Sequence, residues 1–214
     1  MTLGVLLPPA PCAAAAPAVA AATWAARRLD DSAADYLVVT AAATAGLPPV
    51  LVGAYLGRAT RRIGVVVEAP ASGAEPLHLS TALATLDITT HGRAGWLVPL
   101  ADPSGAPDAS AVVDAVARLW DSWEDDAVIR DGVTGRYLDR TRLHRVDVTG
   151  PGFTIAGPSI TPRPPQGRLP ILAAPEAAGL ARLAPSADWI ELVVDGRGVR
   201  QPPGGDAPEA RDPG

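Results

Sequence analysis

A lone carboxylate at the end of an apolar run is the residue with the clearest chemical potential in this chain. Ile63 to Val67 (IGVVV) reads as a buried strand, and Glu68 follows it directly. At the mouth of a parallel sheet such a group is a candidate acid or base. The bland alternative, a solvent-facing carboxylate in an open pocket, is the favoured reading. Other candidates weaken on inspection. Glu124, Asp125 and Asp126 are adjacent, but no histidine stands at metal-ligand spacing, so a solvated helix end is expected and no metal site. His78 falls within a helix, His91 precedes Gly92 in a turn, and His144 lies in a polar stretch; all three read as packing, surface or structural residues. Trp120 and Trp123, three apart, read as a packing stripe and not a stacking platform. No Ser-His-Asp arrangement, nucleophile elbow or Gly-rich dinucleotide fingerprint is present. No catalytic residue can be assigned beyond the Glu68 candidate.

The elements that must position these residues alternate. Continuous apolar runs at Leu3–Leu7, Asp35–Thr40, Ile63–Val67, Ala94–Leu100, Gly167–Ala173 and Trp189–Val194 read as about six strands buried on both faces. Between them, Val19–Leu29, Pro49–Arg62, Glu75–Thr89, Ala111–Trp123 and Glu176–Leu183 read as helices. Arg27 and Arg28 suit a helix C-terminus, and Pro49 and Pro76 suit first turns. The pattern is that of an α/β fold with a parallel sheet. It breaks between Asp125 and Pro165, where Gly, Pro and turn pairs such as Asp131-Gly132 predict an excursion with a small hairpin. The expected organisation is one domain over 1–195, with the excursion at about 125–166 and a disordered tail over 196–214.

Bulk properties exclude several function classes. The chain has 214 residues, 48% hydrophobic, enough for one sizeable core. A net charge of −5 and a pI near 5.1 argue against nucleic-acid binding. The single Cys12 excludes an internal disulfide and supplies no zinc or redox spacing. The Ala-rich stretch 13–26, broken by Pro17, is too short to span a bilayer. With no basic start before the short apolar run at Met1–Leu7, a cytoplasmic protein without membrane attachment is expected.

Several ordered segments carry a resemblance. They are Pro49–Gly64, Glu75–Leu79, Leu86-Asp87, Gly92–Trp96, Leu119–Ala127, Thr134–Tyr137, Leu143–Asp147, and Gly150–Pro170 with its PRPPQGR run. In this order they resemble the luciferase-like flavin monooxygenases, in the nitrilotriacetate/dibenzothiophene-type branch. The resemblance implies a (β/α)8 TIM-barrel-like fold with an excursion near its catalytic end. Such barrels take roughly 250 residues, so a truncated, partial luciferase-like barrel is expected here. It implies reduced FMN and O2 as cosubstrates in oxygenation of a small organic molecule, a flavin reductase as partner, and homo- or hetero-dimers with a luciferase-like subunit.

The positions matching the family's FMN contacts are mostly substituted. Ala41 stands where the second strand of relatives ends in an acidic residue, and Glu68 where the third ends in hydroxyls. Leu97 and Leu100 stand where the fourth continues into Asn and then Thr or Ser. The downstream His and Tyr have no counterpart, because Asp102–Ser110 is a shortened link. In the phosphate turn, Ala174, Pro175 and Glu176 replace a Gly- and Ser-containing sequence, and Gly179 alone is retained. Pro175 has no N–H to donate. Glu176 beside a phosphate costs on the order of 3–4 kcal/mol per unit-charge pair at 4–5 Å. The expectation is a family member with an eroded flavin site that binds FMN weakly or not at all. The alternatives are a non-catalytic partner subunit (a pseudoenzyme) of a full-length flavin monooxygenase, and a decayed gene product without function.

Overall fold

A computed structural model describes residues 4–7, 14–99, 109–173 and 189–191. In chain order these form β1 (Gly4–Leu6), α1 (Ala15–Asp30), β2 (Tyr36–Val39), a 3-10 turn (Ala41–Ala43), α2 (Pro49–Ala59), β3 (Gly64–Glu68), α3 (Pro76–Thr89), β4 (Ala94–Leu97) and α4 (Ala109–Trp120). Then come β5 (Val128–Asp131), β6 (Arg136–Leu138), β7 (Asp147–Gly150), β8 (Phe153–Ala156), β9 (Ile171–Ala173) and β10 (Trp189–Glu191). Six strands pair in parallel in the order β1-β2-β3-β4-β9-β10. The α/β class and the parallel sheet are as expected. Leu100, Ala174, Pro175, Glu176, Gly179, Cys12, the helix expected over 176–183 and the 196–214 tail lie outside the described residues.

The alternation of side chains along each strand separates two layers. Leu37, Val39, Val65, Val67, Trp96 and Ile171 point into the helix layer and pack with residues such as Ala26, Val52, Leu56, Leu83 and Val116. Tyr36, Val38, Val66 and Leu172, joined by Leu97, form the opposite, inner face. Glycines let Tyr36 fill the floor of that face: a Cβ at Gly4 would stand 2.3 Å from its ring, and one at Gly64 3.0 Å from its own Cβ. Burial, together with the charge of Asp35, raises the Tyr36 phenol above its ordinary pKa. The ring is therefore a neutral apolar plug.

Helix ends depart from the periodic pattern for identifiable reasons. α1 begins at Ala15, four residues earlier than its apolar spacing suggests, because Pro17 lies in the first turn, where a missing N–H costs no bond. α2 stops at Ala59 instead of Arg62. The Asp30 carboxylate takes the N–H groups of Arg61, Arg62 and Ile63 at 2.8–2.9 Å, which turns the chain into β3. α3 is capped by Glu75, whose side chain accepts from Leu77 and His78. α4 ends at Trp120, and Trp123 lies beyond it in a bridge to Leu143.

The excursion differs from expectation in two ways. It holds two hairpins, β5-β6 and β7-β8, in place of one. It also leaves from the end of α4 and returns into the start of β9, so it is rooted at the N-terminal edge of the parallel strands and not at the catalytic edge. Gln166 fixes the return. Its backbone N–H and side-chain amide donate to the buried Asp87 carboxylate at 3.0 and 2.7 Å, and the amide also donates to the Ala94 carbonyl at the head of β4. Val146 and Ile155 of the second hairpin region pack on Ala115 and Leu119 of α4.

Candidate functional site at the strand ends

Parallel strands place their last residues side by side, and three of the sequence candidates meet in this way. Glu68 ends β3, Leu97 ends β4 opposite it, and Leu97 pairs in turn with Leu172. Two residues beyond the end of β2, the Ala41 N–H donates to Glu68 Oε2 at 2.9 Å. Beneath this row, Val38 and Val66 supply an apolar wall. On the helix side, the Trp96 indole N–H donates to the Ala69 carbonyl at 2.8 Å, and the Ala69 N–H donates to the Leu97 carbonyl at 3.0 Å. These bonds close the backbone around the end of β3. The Glu68 carboxylate is half-buried, and its bond to Ala41 is open to solvent.

The other candidates are placed elsewhere and have partners of their own. His78 pairs with Glu75 at 3.3 Å, His91 Nε2 lies 3.2 Å from the Arg58 guanidinium, and His144 Nε2 lies 2.8 Å from Glu124. Arg142 binds both Glu124 and Asp126, and Arg163 lies 3.5 Å from Asp125, so the acidic run is an ion-paired brace. Among the described residues, no group of three or more His, Cys, Asp or Glu could hold a metal ion. Trp120 and Trp123 are structural, as expected. Their indoles donate to Ser80 at 3.1 Å and Ser159 at 2.7 Å, and Trp120 meets Trp96 edge to face. No described helix is long and apolar enough to cross a membrane.

Two buried or bridging carboxylates escaped the sequence reading. Asp87 is the only charged residue within α3 apart from His78, and a lone acid in an apolar helix was the available signal. Asp30 gave no such signal, because an acid at a helix end is ordinary. Burial works against its ionisation. The three backbone N–H bonds and the nearby Arg93 charge outweigh burial and hold it below the ordinary carboxylate range. Burial in turn lowers Arg93, with Asp30 opposing.

No family model matches the chain. It is 36% identical over 152 residues to one of the subunits of the pristinamycin IIA synthase of Streptomyces pristinaespiralis, covering 69% of this chain and 52% of that protein. It is 35% identical over 137 residues to nitrilotriacetate monooxygenase component A of Aminobacter aminovorans, covering 56% and 30%. The chain belongs to the luciferase-like flavin-dependent monooxygenases. It spans about half the length, or less, of these relatives. A solved riboflavin lyase, holding a modified FMN and riboflavin, superposes with a TM-score of 0.67 at 23% identity over 81% of this chain and 50% of that one. This last likeness confirms the luciferase-like barrel type of fold.

Luciferase-like relatives use FMN, so its fit to these strand ends can be tested on the geometry. An isoalloxazine edge carries carbonyl oxygens that need donors. Ala41, Glu68 and Leu97 offer one N–H, already bonded, one carboxylate acceptor and aliphatic surface. These three residues therefore offer the ring no free donor.

Proposed function

We propose that this chain works within a reduced-FMN- and O2-dependent oxygenation of a small organic substrate, with a flavin site so eroded that it binds FMN weakly by itself. The observation that carries the reading is the Glu68 to Ala41 contact beside Leu97, which leaves the mouth without a free donor among these residues. The substitutions at Ala174, Pro175 and Glu176 point the same way from sequence. Membership of the family supplies the reaction class, and the component name of the nitrilotriacetate relative supports a separate flavin reductase as the source of reduced cofactor.

A second reading is a non-catalytic partner subunit of a full-length flavin monooxygenase. It is favoured by the sheet, in which β1 and β10 each have one neighbour among the described residues, leaving open edges. A relative that is itself named as one subunit of a synthase supports it too.

The test is a fluorescence titration of the purified protein with oxidised FMN, repeated anaerobically with reduced FMN. Weak or unsaturable binding by the folded protein is expected. A tight stoichiometric complex refutes the eroded site. Analytical ultracentrifugation with a full-length relative reads the second possibility: a stable joint complex supports it, and a persistent monomer argues against it.

A further inference from the structure

We propose that Glu68 is the specificity-determining residue of the strand-end mouth, rejecting anionic ring systems and admitting an apolar ligand with a cationic or N–H-donating head. This rests on the eroded-site reading and says which residue enforces it. Three observations converge. Glu68 ends the inner row with Leu97 and Leu172, on the face that carries Val38 and Val66, and its carboxylate has no ion-pair partner among the described residues. Its Oε2 takes the Ala41 N–H, a donor just beyond β2 that a ligand carbonyl could have used. Oε1 has no hydrogen-bond partner among the described residues and remains an acceptor. A charge in such a setting acts at lower effective dielectric than in water. A ligand carrying negative charge on its ring is opposed, while a head group with N–H donors gains a charge-assisted bond. Reduced FMN carries ring negative charge near neutral pH and oxidised FMN does not, so the two forms report on the charge separately.

The experiment compares wild type, Glu68→Gln and Glu68→Thr by FMN titration in both redox forms, up to millimolar ligand. Both variants are expected to bind reduced FMN at least about tenfold tighter than wild type, with a smaller gain for oxidised FMN. A variant series with no gain, or with no saturable binding at millimolar FMN, overturns the proposal. A gain equal for both redox forms overturns the role of charge. Amide hydrogen exchange checks the contact without any ligand: the Ala41 N–H is expected to exchange faster in Glu68→Thr, and an unchanged rate overturns the bond. Tight FMN binding by wild type refutes the eroded site, whereas unchanged variants on a weakly binding wild type refute only the role of Glu68.

Discussion

Replacing Asp87 by alanine should cost this protein about 3–5 kcal/mol. The carboxylate is fully buried. It accepts the Ala94 N–H at 3.2 Å, the Gln166 N–H at 3.0 Å and the Gln166 side-chain amide at 2.7 Å. Alanine leaves two backbone donors without their acceptor in a site closed to water. Each such donor costs about 1–3 kcal/mol, more where the lost partner was charged. The Gln166 amide keeps its 2.9 Å bond to the Ala94 carbonyl, which limits the loss on that side. For a chain of this size each kcal/mol lowers Tm by about 2–4 °C, so a drop of about 6–20 °C is expected. Circular dichroism melts and urea unfolding measure it. Asp87→Asn, which keeps one acceptor but sets an amide against the Gln166 donors, should fall between. A double-mutant cycle with Gln166→Ala should show coupling of about 1–2 kcal/mol. A loss below about 1 kcal/mol for Asp87→Ala would mean that this carboxylate does not hold the excursion to β4, and the reasoning fails.

Other outcomes follow from single contacts. Gly53→Ala should destabilise by about 1–3 kcal/mol, read by urea unfolding, since its Cβ would stand 2.4 Å from Val67 Cγ1 where α2 lies on β3. Trp123→Phe keeps most of the ring burial but removes the 2.7 Å bond to the Ser159 carbonyl, and should cost about 1–2 kcal/mol and loosen the excursion to limited proteolysis. Asp30 has its folded pKa depressed, so its contribution is complete above about pH 4 and is lost as pH falls through the depressed value. Melting midpoints taken downward from pH 5 should therefore fall more steeply in wild type than in Asp30→Asn; equal slopes would remove Asp30 from the acid response.

The sheet was legible because a strand buried on both faces leaves a continuous apolar run. Tyr36–Val39 is buried at all four positions, and Val65–Val67 at all three. Helix boundaries were less legible where a distant residue set them. Nothing near Ala59 announces that Asp30, some thirty residues earlier, will take the N–H groups of Arg61, Arg62 and Ile63. The same holds for Trp123, which the three-residue spacing assigns to α4 and the bridge to Leu143 removes. The strand ends were legible in position but not in contact. Ala41, Glu68 and Leu97 could be placed at neighbouring strand ends by resemblance, but the bond between Glu68 and Ala41 spans 27 residues and depends on the side-chain reach across β2 and β3. The excursion was misplaced because polarity and turn pairs say that a segment leaves the barrel, not from which edge.

Strand alternation explains how such a fold can persist while the residues at its strand ends change. Val67 and Glu68 are neighbours in β3, and Trp96 and Leu97 are neighbours in β4, yet each pair divides between two environments. Val39, Val67 and Trp96 are fully buried against the helices and carry the packing energy of the domain. Glu68 and Leu97 face the inner side and are only half-buried, so changes there leave the helix layer untouched. Under the proposed function, stability and flavin affinity are therefore separable quantities. Glu68→Gln should leave the urea midpoint within about 0.5 kcal/mol of wild type while shifting reduced-FMN affinity. A large loss of stability in that variant would place Glu68 among the residues that hold the fold, and its carboxylate would then be a structural brace instead of a gate on the ligand.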